Sequence, residues 1–179
     1  MKVRNAVFVI ALLGLLAAGR AGEAKPRLGK LPKDKVARQR LTTLDGRQFS
    51  LADMRGEVVV LNFFAVWCGH SRDQLPALGR FAAEAEGAGS GPRVIGLAVA
   101  DEQTSAARLA QFVKDQRVSY PVGLIDDRSF GDHINSRDVS VPQTLVYGRD
   151  GKLAAHVIGQ SAETDAVLAA AVERELAKK

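Results

Sequence analysis

One residue type in this chain can do covalent redox chemistry near neutral pH, and it occurs once, as Cys68. The thiol sits in the segment LNFFAVWCGHSRDQLPAL, residues 61–78. An apolar run ends just before it and a helical pattern begins just after it. Cys68 is therefore expected at a helix N-terminus. Free backbone N–H groups and roughly half a unit of positive charge gather there, and both favour thiolate over thiol. A protonated His70 would act in the same direction. Gly69 leaves the backbone open to an approaching sulfur, and Trp67 offers a flat surface beside it. Ordinary fates compete with these readings: a small buried core residue for Cys68, an idle first-turn residue for His70. A lone cysteine excludes an intrachain disulfide and any multi-cysteine zinc site. His70, His133 and His156 lack metal-ligand spacing, so neither a metal nor a cofactor is expected.

The elements that must position this thiol follow from periodicity. Asp45-Gly46 is a hairpin-turn dipeptide within residues 41–50. Residues 58–64 (VVVLNFF) form a continuous β-branched and aromatic run, as for a strand covered on both faces. Residues 71–86 read as a helix, with Leu75, Leu78 and Phe81 on one face and Pro76 near its start. A loop over 87–92, a strand over 93–99 and a helix over 104–116 follow. An apolar stretch at 122–125 leads into a region to 138 that reads as irregular and polar. Strands over 144–147 and 153–158 flank Asp150-Gly151, a second hairpin turn. Ser161 caps a final helix carrying Leu168, Val172 and Leu176. The alternation predicts an α/β sandwich with a mixed sheet.

Charge is distributed unevenly. The chain has 179 residues, 46% of them hydrophobic and 25% charged, with a net charge of +5. That composition fits one folded domain and excludes a disordered or collagen-like chain. Residues 25–40 carry seven basic side chains against Asp34, whereas residues 41–179 are net acidic by three. The basicity thus belongs to a leader. Nucleic-acid binding has little support, since the folded part is acidic and aromatics make up 6% of the chain. Lys2 and Arg4 precede an uncharged run over 6–18, and small residues at 19–24 offer cleavage sites. Residues 1–24 are expected to be a signal peptide or an uncleaved anchor, although the run is shorter than the roughly 20 residues of a spanning helix. Residues 25–40 are expected to be a solvated basic linker, with contact to anionic lipid as the alternative use. Their charge opposes the usual bias for export. Export would place Cys68 in an oxidising compartment.

The segment VVVLNFFAVWCGHS, with VSVPQTLVYGRDGKL downstream, resembles the thioredoxin fold, and specifically the exported TlpA/ResA-like thiol–disulfide oxidoreductases. The opening LTTLDGRQFSLADMRGEVVVLNFFAVWC is similar to that family's N-terminal hairpin. The resemblance covers residues 41 to 178. It implies a three-layer α/β/α thioredoxin-like sandwich with a mixed central sheet and an N-terminal β-hairpin extension. It also implies roles. Cys68 matches the attacking cysteine, and Pro142 the cis-proline opposite it. Val141 would offer backbone hydrogen bonds to a substrate strand. Gly69-His70 matches the dipeptide of the protein disulfide isomerase motif, and Pro76 the proline that kinks the active-site helix.

Two positions depart from the pattern. Ser71 stands where the second cysteine would be, and Asn62 matches the acidic residue that thioredoxin buries behind its site. A resolving thiol must attack the mixed disulfide to complete a two-thiol cycle, and a serine alkoxide is inaccessible near neutral pH. The Ser71 hydroxyl is expected instead to donate to the Cys68 thiolate. The leading expectation is an exported monothiol oxidoreductase, monomeric, acting on protein or small-molecule disulfides, with glutathione as a candidate partner. A client-binding module is the alternative. A redoxin-type peroxidase is a third, although residues 61–68 lack the proline and hydroxyl spacing of that chemistry.

Overall fold

The computed structural model describes residues 28–88 and 91–178. The expected signal segment, and the start of the expected linker, lie outside the described residues. The elements in chain order are α1 (Asp34–Ala37), β1 (Leu41–Thr42), β2 (Gln48–Phe49), a 3₁₀ turn (Leu51–Met54), β3 (Val59–Phe64), α2 (Gly69–Ala88), β4 (Arg93–Val99), α3 (Ala106–Asp115), β5 (Val122–Ile125), α4 (Asp127–Ile134), β6 (Gln143–Tyr147), β7 (Leu153–Ile158) and α5 (Ala162–Leu176). Five strands form one sheet in the order β5-β4-β3-β6-β7. β3 pairs parallel to β4, and β4 to β5, while the β3–β6 and β6–β7 pairs are antiparallel. Parallel neighbours need crossovers, which α2 and α3 supply. The sheet is mixed, as expected.

All six residues of β3 are buried, because both faces of the central strand are covered. Val60 and Phe64 face α2, α3 and α5, packing with Leu78, Leu109, Phe112, Leu168 and Val172. Val59, Leu61 and Phe63 face the opposite layer, with Leu51, Met54, Phe130 and Ile134. The result is the three-layer α/β/α sandwich. The N-terminal hairpin lies against β5, where Thr43 bridges Gly123 and the Leu44 N–H donates to the Val122 carbonyl at 2.7 Å. A Cβ on Gly123 would collide with the Thr42 carbonyl, so only glycine admits so close an approach.

Two regions differ from the sequence reading. The stretch expected to be irregular up to residue 138 contains α4. Its inner face is Ser129, Phe130, His133 and Ile134, and two polar residues among four mask the apolar period. Asp126 caps it by accepting from the Ser129 N–H. The described part of the expected basic linker is docked rather than solvated. Gly29 N–H donates to the Leu153 carbonyl at 2.6 Å and Leu153 N–H to the Lys30 carbonyl at 3.0 Å. Val36 on α1 is buried in the second-face core, and Lys35 pairs with Asp132 on α4 at 2.7 Å.

His133 yields a pH prediction. It is buried against Phe63, with ring centroids 5.6 Å apart. Its Nδ1 lies 2.8 Å from the Ser129 carbonyl, and its buried Nε2 has no partner among the described residues. Burial holds its pKa below the ordinary histidine value, against the opposing pull of the Ser129 carbonyl, Asp132 and Asp126. The unfolded chain therefore takes up the proton first. Stability should be full above about pH 6.5 and fall as pH drops from there through the lower folded value. The aspartates with shifted pKa values are all lowered, so their losses begin only below about pH 4. Urea midpoints at pH 7.5 and pH 5 should differ, and His133→Phe should flatten the difference to the share left by His156, also lowered by burial. An unchanged slope in His133→Phe would show that this ring is not the source.

Candidate functional site

The sulfur sits where β3 runs out and α2 begins. Cys68 immediately precedes α2, and its carbonyl accepts from the Arg72 N–H at 3.3 Å, the first turn of that helix. Its own N–H donates to the Ala65 carbonyl at 3.1 Å, closing the tight turn after the strand. Cys68 is partly exposed. Sγ lies 3.5 Å from the Val141 carbonyl oxygen. The Val141–Pro142 peptide bond is cis. Pro142 is buried and Val141 half-buried. Residues 73 positions apart thus meet at the thiol. The register of β3 against β6, with Asn62 opposite Thr144 and Phe63 opposite Gln143, brings them there.

Trp67 is 49% exposed, and its indole Nε1 donates to Asp101 Oδ2 at 2.8 Å. Desolvation alone would raise the Asp101 carboxyl. Donation from the Trp67 indole and from the Gln103 and Thr104 backbones outweighs it and holds the group below the usual carboxylate value. Asp101 therefore stays charged and anchors the ring. Gly69 and His70 are exposed in the first turn of α2, and the His70 ring has no hydrogen-bond partner among the described residues.

Ser71 is buried, at 1% exposure. Its Oγ accepts from the Ala65 N–H at 3.5 Å. The expected hydrogen bond to Cys68 is not among those formed; the sulfur's partner is the Val141 carbonyl. The hydroxyl is drawn inward because the Ala65 N–H, at the end of β3, would otherwise be buried without a partner.

Behind this turn lies a neutral polar cluster. Asn62 Nδ2 donates to Gln74 Oε1 at 2.7 Å and to Thr144 Oγ1 at 2.9 Å, and Thr144 Oγ1 reaches Gln74 Oε1 at 3.3 Å. All three residues are buried, and Gln74 Nε2 has no partner among the described residues. Where an ionisable group could stand there are only amides and a hydroxyl. Pro76 lies two residues further along α2. Among the described residues, no group of three or more histidines, cysteines or carboxylates is placed to hold a metal ion.

Sequence reasoning did not find Asp101, Gln74, Thr144 or Gln143. Asp101, Gln74 and Thr144 have partners distant in sequence, such as Asp101 and Trp67 at a separation of 34, and Gln143 joins the loop just before it to His156, 13 residues on. No local pattern marks any of them. Trp67 is the only tryptophan in the chain, so its fluorescence reports on one place. Asp101→Leu removes the indole's acceptor, and time-resolved anisotropy should show faster ring motion. Motion equal to that of the parent protein would mean the hydrogen bond does not hold the ring.

Comparison with known proteins gives a consistent result. The thiol-disulfide oxidoreductase ResA of Bacillus cereus (strain ATCC 10987 / NRS 248) is 27% identical over 171 residues, covering 89% of this chain and 91% of the relative. The thioredoxin-like protein YneN of Bacillus subtilis is 28% identical over 111 residues, 62% of each chain. Among solved structures, a candidate protein disulfide isomerase from Bacteroides thetaiotaomicron superposes with a TM-score of 0.73 at 25% identity, covering 88% of this chain and 94% of that one. A secreted thiol-disulfide isomerase from Corynebacterium glutamicum superposes with a TM-score of 0.64 at 26% identity, over 75% and 81% of the two chains. The fold is that of thioredoxin. The model of the AhpC/TSA family matches residues 32–156, the greater part of the sequence, and this chain belongs to the AhpC/TSA family as a member similar to the ResA-like redoxins.

Proposed function

We propose that this protein is a thiol–disulfide oxidoreductase that reacts through Cys68 alone, forming mixed disulfides that an outside thiol must release. The observation that carries this reading is the placement of the sole cysteine. Its sulfur is partly exposed at the head of α2 and faces the Val141 carbonyl at 3.5 Å. One turn on, where a second thiol would complete the cycle, stands the buried hydroxyl of Ser71. In the reaction, the Cys68 thiolate attacks one sulfur of a disulfide. A new S–S bond forms, the old one breaks, and the other sulfur leaves with the electron pair as a thiolate that takes up a proton. A second exchange with an external thiol such as glutathione then restores Cys68.

Apolar surface beside the sulfur supports a protein client. Trp67 is 49% exposed, and Val139, two residues before the contacting carbonyl, is 65% exposed. Export is part of the proposal and rests on the positive and apolar N-terminal residues, together with the secreted character of the Corynebacterium neighbour. An oxidising compartment would supply disulfide substrates.

The test uses the full chain and intact mass spectrometry. Incubation with a peptide disulfide should add one peptide mass, removable by dithiothreitol, and Cys68→Ala should add none. Ser71→Cys should collapse the adduct to an internal disulfide and shorten its life by at least about a hundredfold, because an intramolecular attack replaces a bimolecular one. Absence of any adduct on the parent protein, with fast stoichiometric consumption of peroxide, would replace this reading with the peroxidase one.

A further inference from the structure

The residue after Pro142 does not point to the thiol, and its surroundings are more fully specified than its position requires. Gln143 opens β6 with 0% exposure. A buried primary amide has two N–H donors and an acceptor oxygen to match. Gln143 Nε2 donates to the carbonyls of Asp138 and of Ser140, each at 2.8 Å. Gln143 Oε1 lies 2.7 Å from His156 Nε2 on β7. With both amide hydrogens committed to carbonyls, the amide cannot be turned over without setting its oxygen against two others. Oε1 must therefore accept, and His156 must donate from Nε2–H. His156 Nδ1, buried and without a partner among the described residues, is then the unprotonated nitrogen. Burial favours that neutral ring, with Asp138 pulling the other way.

The same loop is tied from its other side. Asp138 Oδ1 accepts from the Ser140 N–H at 2.9 Å, and the Asp138 N–H donates to Ser136 Oγ at 3.1 Å. The loop over 135–141 has no strand partner of its own until β6 begins. Its carbonyls at 138 and 140 turn inward and are satisfied by one side chain. The next carbonyl, that of Val141, is the one at Cys68 Sγ. Strand β7 thus reaches the thiol through a relay of His156, Gln143 and the loop backbone.

We infer that Gln143 and His156 are positioning residues that latch the 138–141 backbone beside Cys68, and so set the edge along which a peptide disulfide is held during attack. This rests on the Cys68 reading above. The latch touches no reacting atom. Its contribution should appear when the attacked sulfur belongs to a peptide that must lie along the loop. It should be small when the reagent needs only the sulfur.

The experiment compares two reagents on the full chain. A peptide whose cysteine carries a thionitrobenzoate disulfide reports attack by release of the coloured thiolate, as Cys68 takes over the peptide sulfur. Iodoacetamide reports access to the thiolate alone. In Gln143→Leu and His156→Phe, the single-turnover peptide reaction should slow about tenfold through a higher half-saturating peptide concentration, the scale of one or two lost net hydrogen bonds. The iodoacetamide rate should stay within about twofold of the parent. His156→Gln, which keeps an N–H donor, should recover most of the peptide rate. Nitrogen NMR should find His156 with Nε2 protonated and Nδ1 bare, a signature that blurs to mixed tautomers in Gln143→Leu. If Gln143→Leu does not fold, the two His156 variants decide the matter. A peptide rate unchanged in the variants, a parallel fall with iodoacetamide, or no recovery in His156→Gln overturns the latch while Cys68 chemistry stands. A parent protein inert to the peptide overturns the Cys68 reading, and the latch with it.

Discussion

The antiparallel pairing of β3 with β6 is the contact on which the site depends. β3 delivers the chain to the turn that ends in Cys68, and β6 begins immediately after Pro142. Register places Phe63 opposite Gln143, so the end of one strand and the beginning of the other lie at the same sheet edge. A slip of one residue would exchange the two faces of β3. Asn62 would leave its partners, and Leu61 and Phe63 would turn to the wrong helices. The cost would be several buried aromatic and aliphatic side chains, each worth roughly 1.5–3 kcal/mol. The separation between Cys68 Sγ and the Val141 carbonyl is thus set by the packing of the whole sheet.

Around that pairing two polar clusters tie the elements together. The Asn62–Gln74–Thr144 cluster ties β3, α2 and β6 together beneath the thiol. Gln143 ties the loop before β6 to β7. A lone buried amide costs about 1–3 kcal/mol when unpaired, so each cluster fixes its own geometry by penalising the alternatives. Both are built from amides, a hydroxyl and an imidazole. The site therefore holds its shape without a buried ion pair, whose desolvation would be costly.

The central elements were legible because their causes are local. Five of the six positions in β3 are apolar or aromatic and announce a strand covered on both faces, and the Asp150-Gly151 turn announces the β6–β7 pair. The helix α4 was not legible, since Ser129 and His133 occupy its buried face and interrupt the apolar period. The docking of residues 29–37 was hidden for a related reason. Seven basic residues in 25–40 suggested a solvated tether, while one apolar side chain, Val36, and two backbone hydrogen bonds to Leu153 seat the described part on the domain. Composition averages over a segment, whereas docking needs only one residue that fits.

From residue type and order alone came the thiol, its place between a buried strand and a helix, and the α/β class of fold. Each follows from chemistry carried by neighbours within one or two turns of chain. Only the tertiary structure decided what faces the sulfur, which way Ser71 turns, what anchors Trp67, and which histidine is wired to the site. Those contacts join residues 6 to 73 positions apart. They exist because buried donors and acceptors must find partners wherever the packed sheet brings them. Ser71 shows the distinction most clearly: its identity is read from the sequence, but its hydroxyl answers to the Ala65 N–H that the fold would otherwise leave unsatisfied.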